Sequence, residues 1–161
     1  MTDITPLVAA LSSPTIKARR EAAAELGRSG DPAAVLPLVQ ALNDSHPAIR
    51  IEVALALGRL DDDRAVPGLV AALADTDNDV KGAVMTSLGR LKDRRAVIPL
   101  TGCLADPDDR IRAGAAEVLG RLGDPRATKA LTSAAADPFA EVRDAAARAL
   151  DRIQKKRRAG P

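Results

Sequence analysis

Three residue types able to do chemistry beyond charge balance occur once each: His46, Cys103 and Phe139, with no tryptophan or tyrosine anywhere. A metal centre needs several converging ligands, so one histidine, followed directly by Pro47, cannot build one. His46 shares a position with Thr15, Asp77 and Asp108 at successive helix starts, and it reads as a solvated capping residue. Neither a Cys–His pair nor a Ser–His–Asp set can be assembled, because the single histidine stands elsewhere in the frame from Cys103. Cys103 aligns with Ala10, Ala41, Ala72 and Ala134, and is expected to be a small buried apolar group. Base stacking requires aromatic platforms, for which Phe139 is the sole candidate. The glycines at 27, 30, 58 and 89 follow a repeat period and not a strand-to-helix phosphate loop. The expectation is a chain that is not an enzyme, with no catalytic, cofactor-binding or metal-ligating residues.

What remains is charge. Arg19, Arg50, Lys81, Arg112 and Arg143 form one basic column, and Asp44, Asp75, Asp106 and Asp137 form an acidic column a few residues upstream. Stacked units would bring the two signs together, so this column is expected to be satisfied internally and not to serve as a phosphate ladder. A second column, Arg28, Arg59, Arg90, Arg121 and Arg152, is expected in the last helical turn, where cations complement the helix dipole by roughly 0.3–1 kcal/mol each. The same guanidinium row would also edge a groove and meet an acidic partner. Lys155, Lys156, Arg157 and Arg158 close the chain, and without their four charges the formal net charge of +2 becomes −2. Nucleic-acid binding through phosphates is therefore disfavoured for the folded body.

The elements that must position these residues come from a fixed period of 31 residues: Leu-Gly-Arg at 26–28, 57–59, 88–90 and 119–121, and Leu150-Asp151-Arg152 in the fifth place. A repeat of that length is the signature of stacked helix pairs, each burying its apolar face only against its neighbours. Asp31, Asp62, Asp93 and Asp124 open the first helices as caps, with Pro32 and Pro125 at the first helical position. Apolar residues then recur at helical spacing, as in Ala34, Val35, Leu38, Ala41 and Leu42. Pro37 and Pro99 fall inside this helix, so an irregular first turn or a kink is expected. The acidic column from Asp44 is expected to cap the second helices, which carry Ile49, Val53, Leu57 and Leu60 and their counterparts. Glycines 27, 58, 89 and 120 each cost about 1 kcal/mol relative to alanine within a helix, so a repeated structural need, such as close approach of a neighbouring helix, is implied. At the far end, Thr128, Lys129, Thr132 and Ala135 replace Val or Leu, a polar face suited to a terminal unit.

The run Leu119-Gly120-Arg121-Leu122-Gly123-Asp124-Pro125-Arg126-Ala127, with Asp137-Pro138 and Val142-Arg143, resembles HEAT-like repeats of the type found in phycobilin lyases. The resemblance covers residues 5 to about 153 and implies an all-α, right-handed α-solenoid of five HEAT-like helix pairs, of the armadillo type. The domain is expected to span 1–153, with a basic tail at 154–161. Relatives of this kind include bilin lyase subunits, a DNA glycosylase, an iron-dependent hydroxylase and protein-binding adaptors. The hydroxylases hold iron on repeated His-Glu pairs, which a chain with one histidine lacks.

In such arrays the second helices line the concave side, and the solvent-facing positions that differ between units mark the partner. That stripe holds Ile51 and Leu55, then Gly82 and Thr86, then Ala113 and Glu117, with Arg59, Arg90 and Arg121 along its edge. The same stripe takes in Lys17, Arg20 and Ala24, then Ala48, Asp79 and Arg110, and finally Glu141, Asp144 and Arg148. The leading expectation is a protein- or peptide-binding scaffold, with an accessory subunit of a phycobilin-lyase-like or other modifying enzyme as the alternative, and nucleic-acid backbone binding third. No leader or membrane-spanning run is visible in the sequence, and a monomeric cytoplasmic protein is expected.

Overall fold

The structure, a computed structural model, describes residues 3–159 and contains ten α-helices and no strand among them. The chain divides into two compact units, Met1–Leu91 and Lys92–Pro161. The first holds α1 (Thr5–Ala10), α2 (Ile16–Ser29), α3 (Val35–Ala41), α4 (Pro47–Leu60), α5 (Val66–Ala72) and α6 (Asn78–Leu91). The second holds α7 (Val97–Cys103), α8 (Asp109–Leu122), α9 (Thr128–Ala134) and α10 (Ala140–Arg158). Among the described residues no helix is long and apolar enough to cross a membrane.

A 3₁₀ turn precedes each short helix from α3 onward, at Pro32–Ala34, Asp63–Ala65, Arg94–Ala96 and Pro125–Ala127. The side chains of Asp31, Asp62, Asp93 and Asp124 accept the amide of the residue two positions on, capping these turns. Pro37 and Pro99 then sit third in α3 and α7. There the missing amide falls in the first turn, where no intrahelical bond is required. The expected disturbance is thus a change from 3₁₀ to α at the helix start.

Each short helix packs on the long helix that follows it, and long helices pack side by side: α2 on α4 and α4 on α6 in the first unit, α8 on α10 in the second. The core is built from recurring columns. Leu38, Leu69, Leu100 and Leu131 are fully buried, as are Leu26, Leu57, Leu88 and Leu119. With aromatic residues at 1% of the chain, long helices approach closely because their contact positions are small. A Cβ at Gly27 would lie 2.7 Å from Cα of Ala56, one at Gly58 2.6 Å from Oγ of Ser87, and one at Gly120 2.8 Å from Cα of Ala149. Ser87, 2% exposed, donates to the Ala54 carbonyl at 2.7 Å, so the polar member of this column is satisfied inside the contact. Asp151, in the glycine column of α10, is exposed.

The long helices α2, α4, α6 and α8 end in a left-handed residue, Gly30, Asp61, Lys92 and Gly123 in turn, with φ between 53° and 66°. Glycine adopts that conformation without a Cβ penalty, whereas Asp61 does not. Asp61→Gly is therefore expected to raise stability by about 0.5–1 kcal/mol, read as an upward shift in melting temperature. Unchanged or lower melting would show that the Asp61 side chain contributes something its exposed position does not suggest.

Candidate functional site

The acidic and basic columns are consumed by the fold. Arg19 Nε donates to Asp44 at 2.7 Å and Arg50 Nε to Asp75 at 2.7 Å; in the second unit Arg112 Nε donates to Asp137 at 2.8 Å. A second nitrogen of each guanidinium reaches the other carboxylate oxygen, completing a two-pronged ion pair. Nη1 of the same arginines turns back to a main-chain carbonyl six residues earlier: Ser13, Asp44 and Asp106. One guanidinium thus joins the loop before its own helix to the aspartate of the next pair. These pairs are mostly buried, with side-chain exposures of 9–15%. The Arg50 guanidinium holds the Asp75 carboxyl below the usual carboxylate range, and Arg112 does the same for Asp137.

This corrects the expectation that Asp44, Asp75, Asp106 and Asp137 cap the second helices. The caps are Thr15 before α2 and His46, Asp77 and Asp108, each two residues after an aspartate of the column; Asp44, for example, accepts the amide of His46 at 2.8 Å. His46 accepts the Ala48 amide through Nδ1 at 3.3 Å. Phe139 occupies the same position before α10 without a capping bond and lies 5.4 Å from the Arg112 guanidinium. Cys103 is half-buried, not enclosed, with Sγ 3.8 Å from the Pro99 carbonyl. Among the described residues no group of three or more His, Cys, Asp or Glu side chains is placed to hold a metal ion.

A second set of ties was not anticipated. Arg64 pairs with Asp62 at 2.6 Å and donates to the Pro32 carbonyl at 2.8 Å; Arg126 pairs with Asp124 at 3.0 Å and donates to the Arg94 carbonyl at 2.9 Å. Asp124, 3% exposed, also accepts from Arg94 Nε at 2.8 Å. Hydrogen bonds from Arg126 first, then from Arg94, hold its carboxyl far below the usual range against the opposing effect of burial. The recurring Asp-x-Arg spacing at 62–64, 93–95 and 124–126 was the available signal.

The stripe positions are not used up in this way. In the first unit Ile51 and Leu55 are half-buried on α4, Gly82 and Thr86 stand partly or fully exposed on α6, and Arg59 and Arg90 are exposed in the last turns of the two helices. Gly82 differs from Gly58 in kind: a Cβ added there meets nothing within 4 Å. In the second unit Ala113 and Glu117 line a groove of about 500 Å³ between α8 and α10, together with Arg110, Glu141, Asp144 and Arg148. Arg121, in the last turn of α8, pairs with Glu117 at 2.8 Å, and Arg59 pairs with Glu52 at 3.0 Å. Arg152 does not share the last-turn placement expected of its column, because α10 runs on to Arg158.

The chain matches the sequence pattern of HEAT repeats over residues 4–85 and 66–151. Among solved structures it is similar to the complex of CpcE and CpcF of phycocyanin lyase from Nostoc sp. PCC7120, at 29% identity and a TM-score of 0.81, covering 96% of this chain and 66% of that chain. This chain therefore spans slightly less than two thirds of the length of that neighbour. A designed armadillo repeat protein in complex with the peptide (KR)4 aligns at 17% identity and a TM-score of 0.71, covering 93% of this chain and 81% of that chain. Human deoxyhypusine hydroxylase in complex with glycerol aligns at 19% identity and a TM-score of 0.55, covering 94% and 84%. The last two likenesses concern the fold alone. No curated protein matches the sequence.

Proposed function

The chain belongs to the HEAT-repeat family, and from that premise we propose that it is a non-enzymatic scaffold that binds a protein or peptide along the solvent-facing side of its second helices. The observation that carries this reading is the contrast within the repeat. The Asp–Arg columns and the glycines at 27, 58 and 120 are occupied by packing, whereas the stripe through Ile51, Leu55, Gly82 and Thr86 is left for something else. Ile51 and Leu55 lie four apart on one helical face and offer the apolar anchor. Gly82 lets a partner backbone come close, Arg59 and Arg90 edge the patch, and Ala113, Glu117 and Arg121 continue the same positions on α8.

Leu55→Glu tests it. Position 55 corresponds to Glu117 one period pair further on, and Glu117 is exposed, so the fold tolerates a glutamate there. The variant is expected to melt within about 1 kcal/mol of the parent and to lose its partner by more than about tenfold in affinity. A large drop in melting would make Leu55 an inter-repeat seam residue; unchanged binding would remove it from the site.

The similarity to the lyase complex favours one second reading, an accessory subunit of a modifying enzyme whose other chain supplies the chemistry. Affinity capture followed by mass spectrometry separates the two. A scaffold returns an unmodified protein; a modifying subunit returns a second enzyme chain or a bilin-bearing or otherwise modified substrate.

A further inference from the structure

Two adjoining hollows lie where α8 ends against α10, of about 580 and 540 Å³, and they share Lys92, Gly123 and Lys156. Arg94 and Arg157 line the first, Arg121 and Arg152 the second. The carboxylates in these walls are already engaged: Asp124 by Arg126 and Arg94, Glu117 by Arg121. Lys156 donates to the Leu122 carbonyl at 3.1 Å, a neutral acceptor that leaves its charge whole. Lys92, Arg152 and Arg157 have no ion pair among the described residues. The trough therefore carries four uncompensated cations.

Ordinary helix capping accounts for part of this. Lys156 crosses the carbonyl end of α8, and Arg157 lies in the last turn of α10, both favourable positions for a cation. It does not account for Arg152, nearly two turns before the end of α10, nor for Lys92, which holds a left-handed residue (φ 53°) beside them. Lys156 is also held in place. A Cβ at Gly123 would lie 2.7 Å from its Cδ, so the glycine keeps open the bed in which the lysine stem rests. A charge fixed in this manner loses little entropy on meeting an anion.

We propose that this trough binds an acidic peptide segment in extended conformation. Arg152 and Lys156 stand four apart on one face of α10, about 6 Å along its axis at 1.5 Å per residue. Alternate residues of an extended chain point the same way about 6.6 Å apart, so carboxylates at every second position match that spacing. Guanidinium forks suit carboxylates, and the lining contains no aromatic side chain on which a nucleic-acid base would stack. This site does not depend on the second-helix face described above, since Glu117 and Arg121, which the two share, neutralise each other.

The test is fluorescence anisotropy with a fluorescein-labelled deca-glutamate peptide on the full chain at low salt. Lys92→Gln with Arg152→Gln should weaken binding about tenfold and flatten its salt dependence. Lys129→Gln with Arg143→Gln, which removes the same charge from exposed positions elsewhere in the second unit, should change it by less than about twofold. Circular dichroism melting confirms that both doubles are folded. Equal losses in the two doubles would make the effect one of net charge and overturn the site. So would absence of saturable binding by the parent chain, or tighter trough-dependent binding of inorganic pyrophosphate or a short DNA duplex.

Discussion

Gly27→Ala is expected to destabilise the chain by about 2–3 kcal/mol, while Gly82→Ala, the same substitution in another long helix, is expected to stabilise it by about 0.5–1 kcal/mol. Both exchanges gain the helix propensity of alanine, worth about 1 kcal/mol. They differ in what the new methyl meets. At Gly27 it would stand 2.7 Å from both Cα and Cβ of Ala56, so α2 and α4 must move apart along a contact that buries Leu26 and Leu57. Backbone cannot yield as a flexible side-chain tip can. At Gly82 the methyl meets nothing within 4 Å, and only the propensity term remains. Thermal and urea denaturation of the two variants would measure the difference. A Gly27→Ala variant as stable as the parent would mean that the glycine column serves something other than helix approach. If Gly82→Ala raises the melting temperature yet weakens binding of a captured partner, the glycine is kept for the partner and not for the fold.

Asp75→Ala is expected to remove about 2–3 kcal/mol, because it leaves the Arg50 guanidinium mostly buried with two of its three donor contacts unmet. It also frees the Asp77 amide, which Asp75 accepts at 2.8 Å. The double variant Arg50→Met with Asp75→Ala should recover part of the loss, since no unpaired charge then remains inside. The same carboxylates set an acid limit. Asp75, Asp124 and Asp137 all have their acid constants lowered in the folded state, through hydrogen bonds first from Arg50, Arg126 and Arg112 respectively. Their contribution is complete above the unfolded aspartate value of about 3.9 and is lost as pH falls below it toward the folded values. Melting temperature should therefore be flat with respect to these groups near neutrality and drop below about pH 4, with a shallower drop for Asp75→Ala. Equal acid slopes for parent and variant would show that the Arg50–Asp75 pair does not govern this limit.

Much of this is legible in the sequence because the repeat states each structural demand several times. The helix pairs, the aspartate caps before the short helices, the buried leucine columns and the inter-repeat Arg–Asp pairing all follow from apolar spacing and from columns that keep one residue type. A column that changes type gives no such vote. The stripe from Ile51 and Leu55 through Gly82 and Thr86 is recognisable only as variable, and the functional role assigned to it is a proposal.

By itself the sequence determined the period, the helical class and the residues that face inward, since 3.6-residue spacing and in-register small residues leave few other ways to bury Val, Leu and Ala. Only the tertiary structure decided which member of one column meets which member of the next, and which of two expected roles a residue keeps. Asp44 and Asp75 are expected from the sequence both to meet the basic column and to cap the second helices; they lie two residues ahead of the caps and bind Arg19 and Arg50, 25 residues away in the chain. Gly58 and Gly82 are the same letter in neighbouring helices, one pressed on Ser87 and the other open to solvent. Lys156, one of four cations in a row at the chain's end, is turned onto the carbonyl end of α8. Pattern along a chain encodes which face a residue occupies, whereas pairing across faces depends on how far one helix is shifted against the next, a length that no single unit contains.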